Sequence, residues 1–191
     1  MTDLDPRATA LVLIDLQNGI AGLPLAPFSG EAVRAAGEAL AHRFRAVGAP
    51  VVLVRIDWAA DYADAPQGKV EQPLPRPPGG LPPGWSQFAE GLTQPGDIIV
   101  TKRQWGAFYG TDLDLQLRRR AIKTIVLGGI ATNFGVESTA RQAWEHGYDV
   151  VLAEDAATSV SAELHDMTVR HIFPRIGRVA RSADIAFAVA A

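Results

Sequence analysis

A chain of 191 residues is long enough for one domain with a full hydrophobic core. Its 48% hydrophobic and 20% charged residues are ordinary for a globular protein, and a net charge of −3 offers no footprint for nucleic acid or an anionic membrane. The complete lack of cysteine excludes disulfides, thiolate metal sites and thiol catalysis together.

The N-terminal Met-Thr-Asp-Leu-Asp-Pro-Arg is polar and acidic, so no secretory signal is expected and the cytoplasm is the expected compartment. Apolar runs then alternate with segments of 3.6-residue period, the pattern of an α/β fold with a parallel sheet. Residues 10–15 (Ala-Leu-Val-Leu-Ile-Asp) read as a first buried strand. Val33, Ala36, Gly37, Leu40, Ala41, Phe44 and Val47 recur at helical spacing up to Gly48, a C-cap. Residues 51–57 and 97–102 are the next strands. Thr111 is expected to cap a helix with Leu113, Leu117 and Ala121 on one face. Its basic end, Arg118-Arg119-Arg120, complements the helix dipole and is not read as a phosphate patch. Residues 124–130 form a fourth strand, followed by a helix whose inward stripe is Val136, Thr139, Ala140, Ala143 and Trp144. Residues 149–153 are a fifth strand. A helix over about 162–173 stops at Pro174, residues 178–181 are a short sixth strand, and Ser182 is expected to cap a final helix. No apolar run approaches the roughly 18–20 residues that cross a bilayer.

One region breaks this rhythm. Residues 59–96 hold eight of the thirteen prolines and six glycines without sustained period. An excursion of that length reads equally as a lid, binding loop or oligomer arm, or as a surface segment that merely packs.

In open α/β sheets, ligands bind beyond the carboxyl ends of the strands. Asp15, Lys102 and the turn 131–135 all fall there. Asp15 alone reads as a turn-capping carboxylate and Lys102 alone as a solvated lysine. Together they read as a pair, because a buried Asp without a cationic partner is costly. The turn 128–147 is the kind that presents a nucleophile to backbone N–H groups at a helix start, yet Gly135 stands at the helix mouth. Ser138 and Thr139 lie within the helix, where hydroxyls bond backbone carbonyls. His42, His146, His165 and His171 show no metal-ligand spacing, so no metal or other cofactor is expected. No dinucleotide fingerprint, phosphate loop or G-x-S-x-G elbow occurs. Trp105, Phe108 and Tyr109 wall either a small-molecule pocket or the core.

Three blocks carry a resemblance that covers nearly the whole chain: Leu-Val-Leu-Ile-Asp-Leu-Gln-Asn (11–18), Val-Thr-Lys-Arg-Gln-Trp-Gly-Ala-Phe-Tyr-Gly-Thr (100–111) and Gly-Gly-Ile-Ala-Thr-Asn-Phe-Gly-Val-Glu-Ser-Thr-Ala-Arg (128–141). In these the chain resembles the isochorismatase-like hydrolases, which include nicotinamidases, N-carbamoylsarcosine amidases and isochorismatases. The resemblance implies one three-layer α/β/α domain over 1–191, with a Rossmann-like parallel sheet of about six strands. It implies Asp15 and Lys102 as two members of a catalytic triad and Gly135 at the position of the third, a cysteine. A cis peptide is implied at Ile130–Ala131, and oxyanion donors at the N–H groups of Ala131 and Gly135. Gln17, Trp105, Phe108 and Phe134 are the implied substrate-binding residues. Amidase chemistry cannot run without the thiol. Isochorismatases also carry Gly there and hydrolyse a vinyl ether by Asp protonation and water addition. Their aromatic-Ala-His run is replaced here by Ala131-Thr132-Asn133-Phe134, closer to the amidases. The metal-binding nicotinamidases place Asp and His after their second strand, whereas this chain keeps Asp57 alone.

The expectation is therefore a cysteine-independent hydrolase of a small polar or anionic metabolite, cytoplasmic and homo-oligomeric, without nucleic-acid or membrane partners. The alternative is a catalytically silent binding or assembly homologue. For Asp15 the neighbouring Lys102 lowers the pKa and burial raises it, and acid catalysis near neutral pH requires burial to win.

Overall fold

The computed structural model describes residues 2–188. Six parallel strands form the central sheet in the order β4-β3-β2-β5-β6-β7. They are β2 (Thr9–Ile14), β3 (Val51–Ile56), β4 (Ile98–Lys102), β5 (Thr124–Ile130), β6 (Asp149–Thr158) and β7 (Arg178–Ala180). The order reverses between β2 and β5, where successive connections leave in opposite directions. That reversal opens a crevice at the strands' carboxyl ends.

Strand alternation builds the three layers. On one face Leu11, Leu13, Leu53 and Val126 pack under Val33, Leu40, Ala41 and Phe44 of α2 (Gly30–Ala46). Ser29 caps α2 by accepting the Ala32 N–H. On the other face Ala10, Val12, Ile14, Val52 and Leu127 meet residues of three helices. These are α3 (Leu113–Arg119), α4 (Glu137–Glu145) and α6 (Phe173–Ile176). Leu113, Leu117, Ala140, Ala143 and Phe173 are the residues that pack there. Both faces of β2 are fully buried, as its unbroken apolar run requires. Two further short α-helices are α1 (Asn18–Ala21) and α5 (Ala162–Met167), and α5 runs through a π-helical turn over Thr168–Ile172 into α6, so Pro174 lies in the first turn of α6 and does not stop the helix.

Several expectations are corrected. Ser182 does not start a helix, because Asp155 takes both its N–H and its hydroxyl. A single turn over Ser182–Asp184 follows, and then β8 (Ile185–Phe187) pairs in parallel with β1 (Thr2–Leu4) in a separate two-stranded sheet. Strand β6 runs five residues beyond its expected end at 153. Trp144, expected on the inward stripe, is 53% exposed. Thr111 sits just before the cap position of α3, though its hydroxyl still accepts the Leu113 N–H.

The Pro/Gly-rich excursion contains no helix or strand. It is pinned to the start of α1, where the Asn18 and Gly19 N–H groups donate to the carbonyls of Gln87 and Trp85. No helix among the described residues is long and apolar enough to cross a membrane.

Candidate active site

Asp15 follows the last residue of β2, Lys102 ends β4, and the turn after β5 carries Gly135. Strand β3 lies between β2 and β4, so Lys102 must reach over two interstrand spacings, about 10 Å in all. Its long stem makes that reach: Nζ lies 2.7 Å from Asp15 Oδ2 and donates to the Trp105 carbonyl at 2.8 Å. The side chains are almost closed off, with Asp15 5% and Lys102 1% exposed. Asp15 is held in a left-handed conformation (φ 55°) uncommon outside glycine. Among the described residues its Oδ1 has no hydrogen-bond partner, so the carboxylate does not cap the adjacent turn. Burial pushes the Asp15 carboxyl up to about 6, against the opposing pull of the Lys102 ammonium.

The third element closes on this pair. Gly129 has φ 118° and lies against β2: a Cβ there would fall 2.0 Å from the Ile14 carbonyl oxygen. Only glycine lets β5 pass so close. The Ile130–Ala131 peptide is cis, and a turn of π-helix over Thr132–Val136 leads into α4. Among the described residues the Ala131 N–H finds no acceptor. Thr139 holds the turn, donating to the Gly135 carbonyl at 2.7 Å and accepting the Ala107 N–H at 3.2 Å. Gly135 does not have positive φ, so its backbone does not require glycine. Its side-chain direction is what matters. A Cβ at 135 would lie 3.2 Å from Lys102 Nζ and 3.3 Å from Asp15 Oδ2. The three positions read from separate sequence blocks thus meet at one point.

Thr132 and His165, 33 residues apart, form a buried pair with Oγ1 and Nδ1 2.8 Å apart. Burial lowers the His165 pKa, and among the described residues its Nε2 has no partner. Nothing in the local sequence signals this link, because its partners come from different elements. Among the described residues no group of three or more His, Asp or Glu converges as a metal site would require.

Beside the pair lies a cavity of about 510 Å³, walled by Trp58, Tyr62, Val70, Leu74, Arg76 and Trp105 among others. Asp15 and Lys102 are not in its lining. Trp105 belongs to both regions, with its carbonyl on Lys102 and its ring on the cavity. That ring, half exposed, packs at a tilt of 46° against Phe134 with centroids 4.8 Å apart. The expected binding residues therefore divide. Trp105 and Phe134 sit beside the pair. Phe108 is 5% exposed and packs in the core against Tyr148 and His146, so it walls no pocket. Gln17 is fully buried and committed to the backbone: it accepts the Ile56 N–H and donates to the Ile56 and Trp85 carbonyls. It locks β2 to β3 and the excursion, and leaves little to offer a substrate. Trp58, just before the excursion, and the excursion residues Tyr62 and Arg76 escape sequence reasoning because no periodicity marks them.

The Isochorismatase domain family model matches residues 9–184. The chain belongs to the isochorismatase family. It is 53% identical over 187 residues to the Escherichia coli O157:H7 protein YecD, described as an uncharacterized isochorismatase family protein, covering 97% of this chain and 98% of that one. It is 34% identical over 182 residues to the ureidoacrylate amidohydrolase RutB of Pseudomonas syringae pv. syringae, covering 84% and 74%. An isochorismatase family protein from Burkholderia thailandensis has a solved structure that superimposes with a TM-score of 0.92. It is 50% identical, with 97% of this chain and 96% of that one covered. The three-layer α/β/α fold is that of the isochorismatase family.

Proposed function

We propose that this isochorismatase family member hydrolyses a small polar or anionic metabolite by water-based chemistry, with Asp15 as the acid and no covalent nucleophile. One observation carries the reading: a protonatable Asp15 with a free Oδ1 stands beside Lys102 at the point where a side chain from position 135 would project. Gly135 takes the place of the family's cysteine and leaves that space to substrate or water.

A vinyl ether fits this arrangement. The Asp15 carboxylic acid gives its proton to the terminal alkene carbon, and the oxygen-bearing carbon becomes an oxocarbenium ion. Water adds to that carbon and returns a proton to the Asp15 carboxylate. The resulting hemiketal separates into a carbonyl compound and an alcohol. Lys102 holds the carboxyl in place and balances its charge. With Asp15 near 6, ~10% of molecules carry the needed proton at pH 7, enough for a general acid. The Ala131 and Gly135 N–H groups are donors for the alcohol oxygen as it departs from the hemiketal, the one oxygen in these steps that gains electron density. In this reading the protein acts in the cytoplasm as a homo-oligomer, with exposed Trp144, Val160 and Met167 as apolar residues that a partner copy would cover.

The near-complete burial of Asp15 and Lys102 favours one second reading, a silent binding homologue whose ion pair is only structural. A panel of isochorismate, simple enol ethers and small amides separates the two. Turnover of an enol ether that Asp15→Asn abolishes, with the fold intact, supports the hydrolase. Ligand binding without turnover across the panel supports the silent homologue.

A further inference from the structure

The turn that carries the Ala131 and Gly135 N–H groups is anchored by side chains that none of the steps above uses. Thr132 and His165 are both buried, and their Oγ1 and Nδ1 atoms lie 2.8 Å apart. The next residue, Asn133, accepts a hydrogen bond from the Ser159 hydroxyl. Ser159 is itself fixed, exchanging two backbone hydrogen bonds with Ala26 at 2.9 and 3.1 Å. Two successive residues of the turn are thereby tied to α5 and to the residue that follows β6.

The imidazole is held in orientation as well. Phe28 meets it edge-on, with centroids 6.0 Å apart and planes at 88°. Thr158 clamps Phe28 in turn, its hydroxyl donating to the Phe28 carbonyl at 2.7 Å and accepting the Phe28 N–H at 3.2 Å.

As a packing element alone, His165 is a poor choice. Burial holds it neutral against the pull of the Glu154 and Asp166 carboxylates, and among the described residues its Nε2 has no partner. A buried ring nitrogen without a partner is costly, and an aliphatic side chain would fill the same space without it. What the imidazole supplies and leucine does not is the bond between Nδ1 and Thr132. That bond fixes the first residue of the π-helical turn, one position after Ala131 and three before Gly135.

We infer that His165 is a positioning residue: through Thr132 it holds the turn, and with it the Ala131 and Gly135 N–H groups, at its present distance from the Asp15–Lys102 pair. The inference rests on reading Asp15 and Lys102 as the reacting centre. His165 itself touches no reacting atom.

The thiol introduced by Gly135→Cys reports the position of the turn without any need for turnover, since a Cβ at 135 would lie 3.2 Å from Lys102 Nζ. A cation that close favours the thiolate, so alkylation by iodoacetamide is expected to be half-maximal below the ordinary thiol pKa of about 8.5. Adding Thr132→Val or His165→Leu to that protein frees the turn to drift from Lys102. Each is expected to raise the pH of half-maximal alkylation by about half a unit or more. Thr132→Ser keeps the hydroxyl, and His165→Asn keeps a polar amide atom where Nδ1 stands, so both are expected to retain the parent profile. Urea unfolding separates position from stability. Thr132→Val combined with His165→Leu removes the unpaired Nε2 together with the bond, so its midpoint is expected at or above the parent's although its profile has shifted.

A profile that superimposes on the parent's in either Thr132→Val or His165→Leu overturns the positioning role. So does a shift that Thr132→Ser shows equally, or a double variant whose urea midpoint falls. On an enol ether that the wild type hydrolyses, Thr132→Val is expected to lower kcat about tenfold with KM within about twofold, and an unchanged kcat also overturns the role. A shifted alkylation profile beside a wild type that turns over no enol ether leaves the positioning standing and sinks the hydrolytic reading.

Discussion

Lys102 Nζ sits 2.7 Å from Asp15 Oδ2, and strand β3, which lies between their two strands, is bridged by this contact. The pair is buried, so its members cannot be exchanged for water. Removing Lys102 leaves the Asp15 carboxyl buried without its partner. Lys102→Met is expected to lower unfolding free energy by about 3–5 kcal/mol in urea titrations at pH 7. The same variant raises the Asp15 pKa above its present value of about 6, because the only group that lowers it is gone. Carboxyl-selective NMR titration reads that shift, and a value at or below that of the wild type contradicts the pairing.

Asp15 also gives stability a pH dependence of known sign. Its folded pKa of about 6 lies above the ordinary 3.8, so between these values the folded state binds more protons than the unfolded state. The contribution is fully present below pH 3.8 and is lost as pH rises through about 6. The loss is on the order of 3 kcal/mol, from about two pK units at roughly 1.4 kcal/mol each. Urea unfolding of wild type and Asp15→Asn between pH 4 and 7 isolates this slope as the difference between the two curves. Parallel curves across that window would mean that Asp15 titrates normally.

Gly135→Cys puts a lone thiol into a protein that has no other cysteine. The new Cβ meets Ile14, Lys102 and Asp15 at 3.1–3.3 Å, so the neighbours must yield slightly, costing about 1–3 kcal/mol. Mass spectrometry after iodoacetamide should show one adduct per chain against none in wild type. Hydrolysis of a small amide by the variant alone would show that the thiol was the missing part of an amidase site.

What the sequence makes legible depends on where each signal resides. The β2 run Ala-Leu-Val-Leu-Ile is apolar on both faces, and that run dictates a buried parallel strand whatever surrounds it. Asp15 and Lys102 are legible as strand-end residues, because a charge that closes a strand of this kind is carried to the sheet's carboxyl edge, where the crevice opens. The two-stranded sheet of β1 and β8 is not legible. It joins three residues near each end of the chain, and its register depends on contacts 183 residues apart, Thr2 with Ile185. Strand β6 continues past its apolar run because Glu154 and Asp155 are only half-buried, and Asp155 is occupied by Ser182. Phe108 and Trp144 depart from expectation for one shared reason: an aromatic residue is equally suited to a core or a surface, and only its neighbours decide. Gln17 shows the same limit for a polar residue, since its backbone partners come from β3 and the excursion.

Gly129 offers a test of the close passage of β5 over β2. Alanine there must accept φ 118° and a Cβ 2.0 Å from the Ile14 carbonyl oxygen, and backbone cannot give way as a side chain can. Gly129→Ala is expected to destabilise by roughly 3 kcal/mol or more, or to prevent folding. Thermal unfolding measures it, and a wild-type midpoint would contradict the register of β2 with β5.

The central claim is that a protonated Asp15, and no thiol, drives hydrolysis. The most direct test is kcat/KM against pH for an enol ether from the panel, in wild type and Asp15→Asn. The expected rate falls about tenfold per pH unit above about 6, the behaviour of an acid with the Asp15 pKa, and is not measurable in the variant. A rate that stays level through pH 6–8, or that survives in Asp15→Asn, contradicts it.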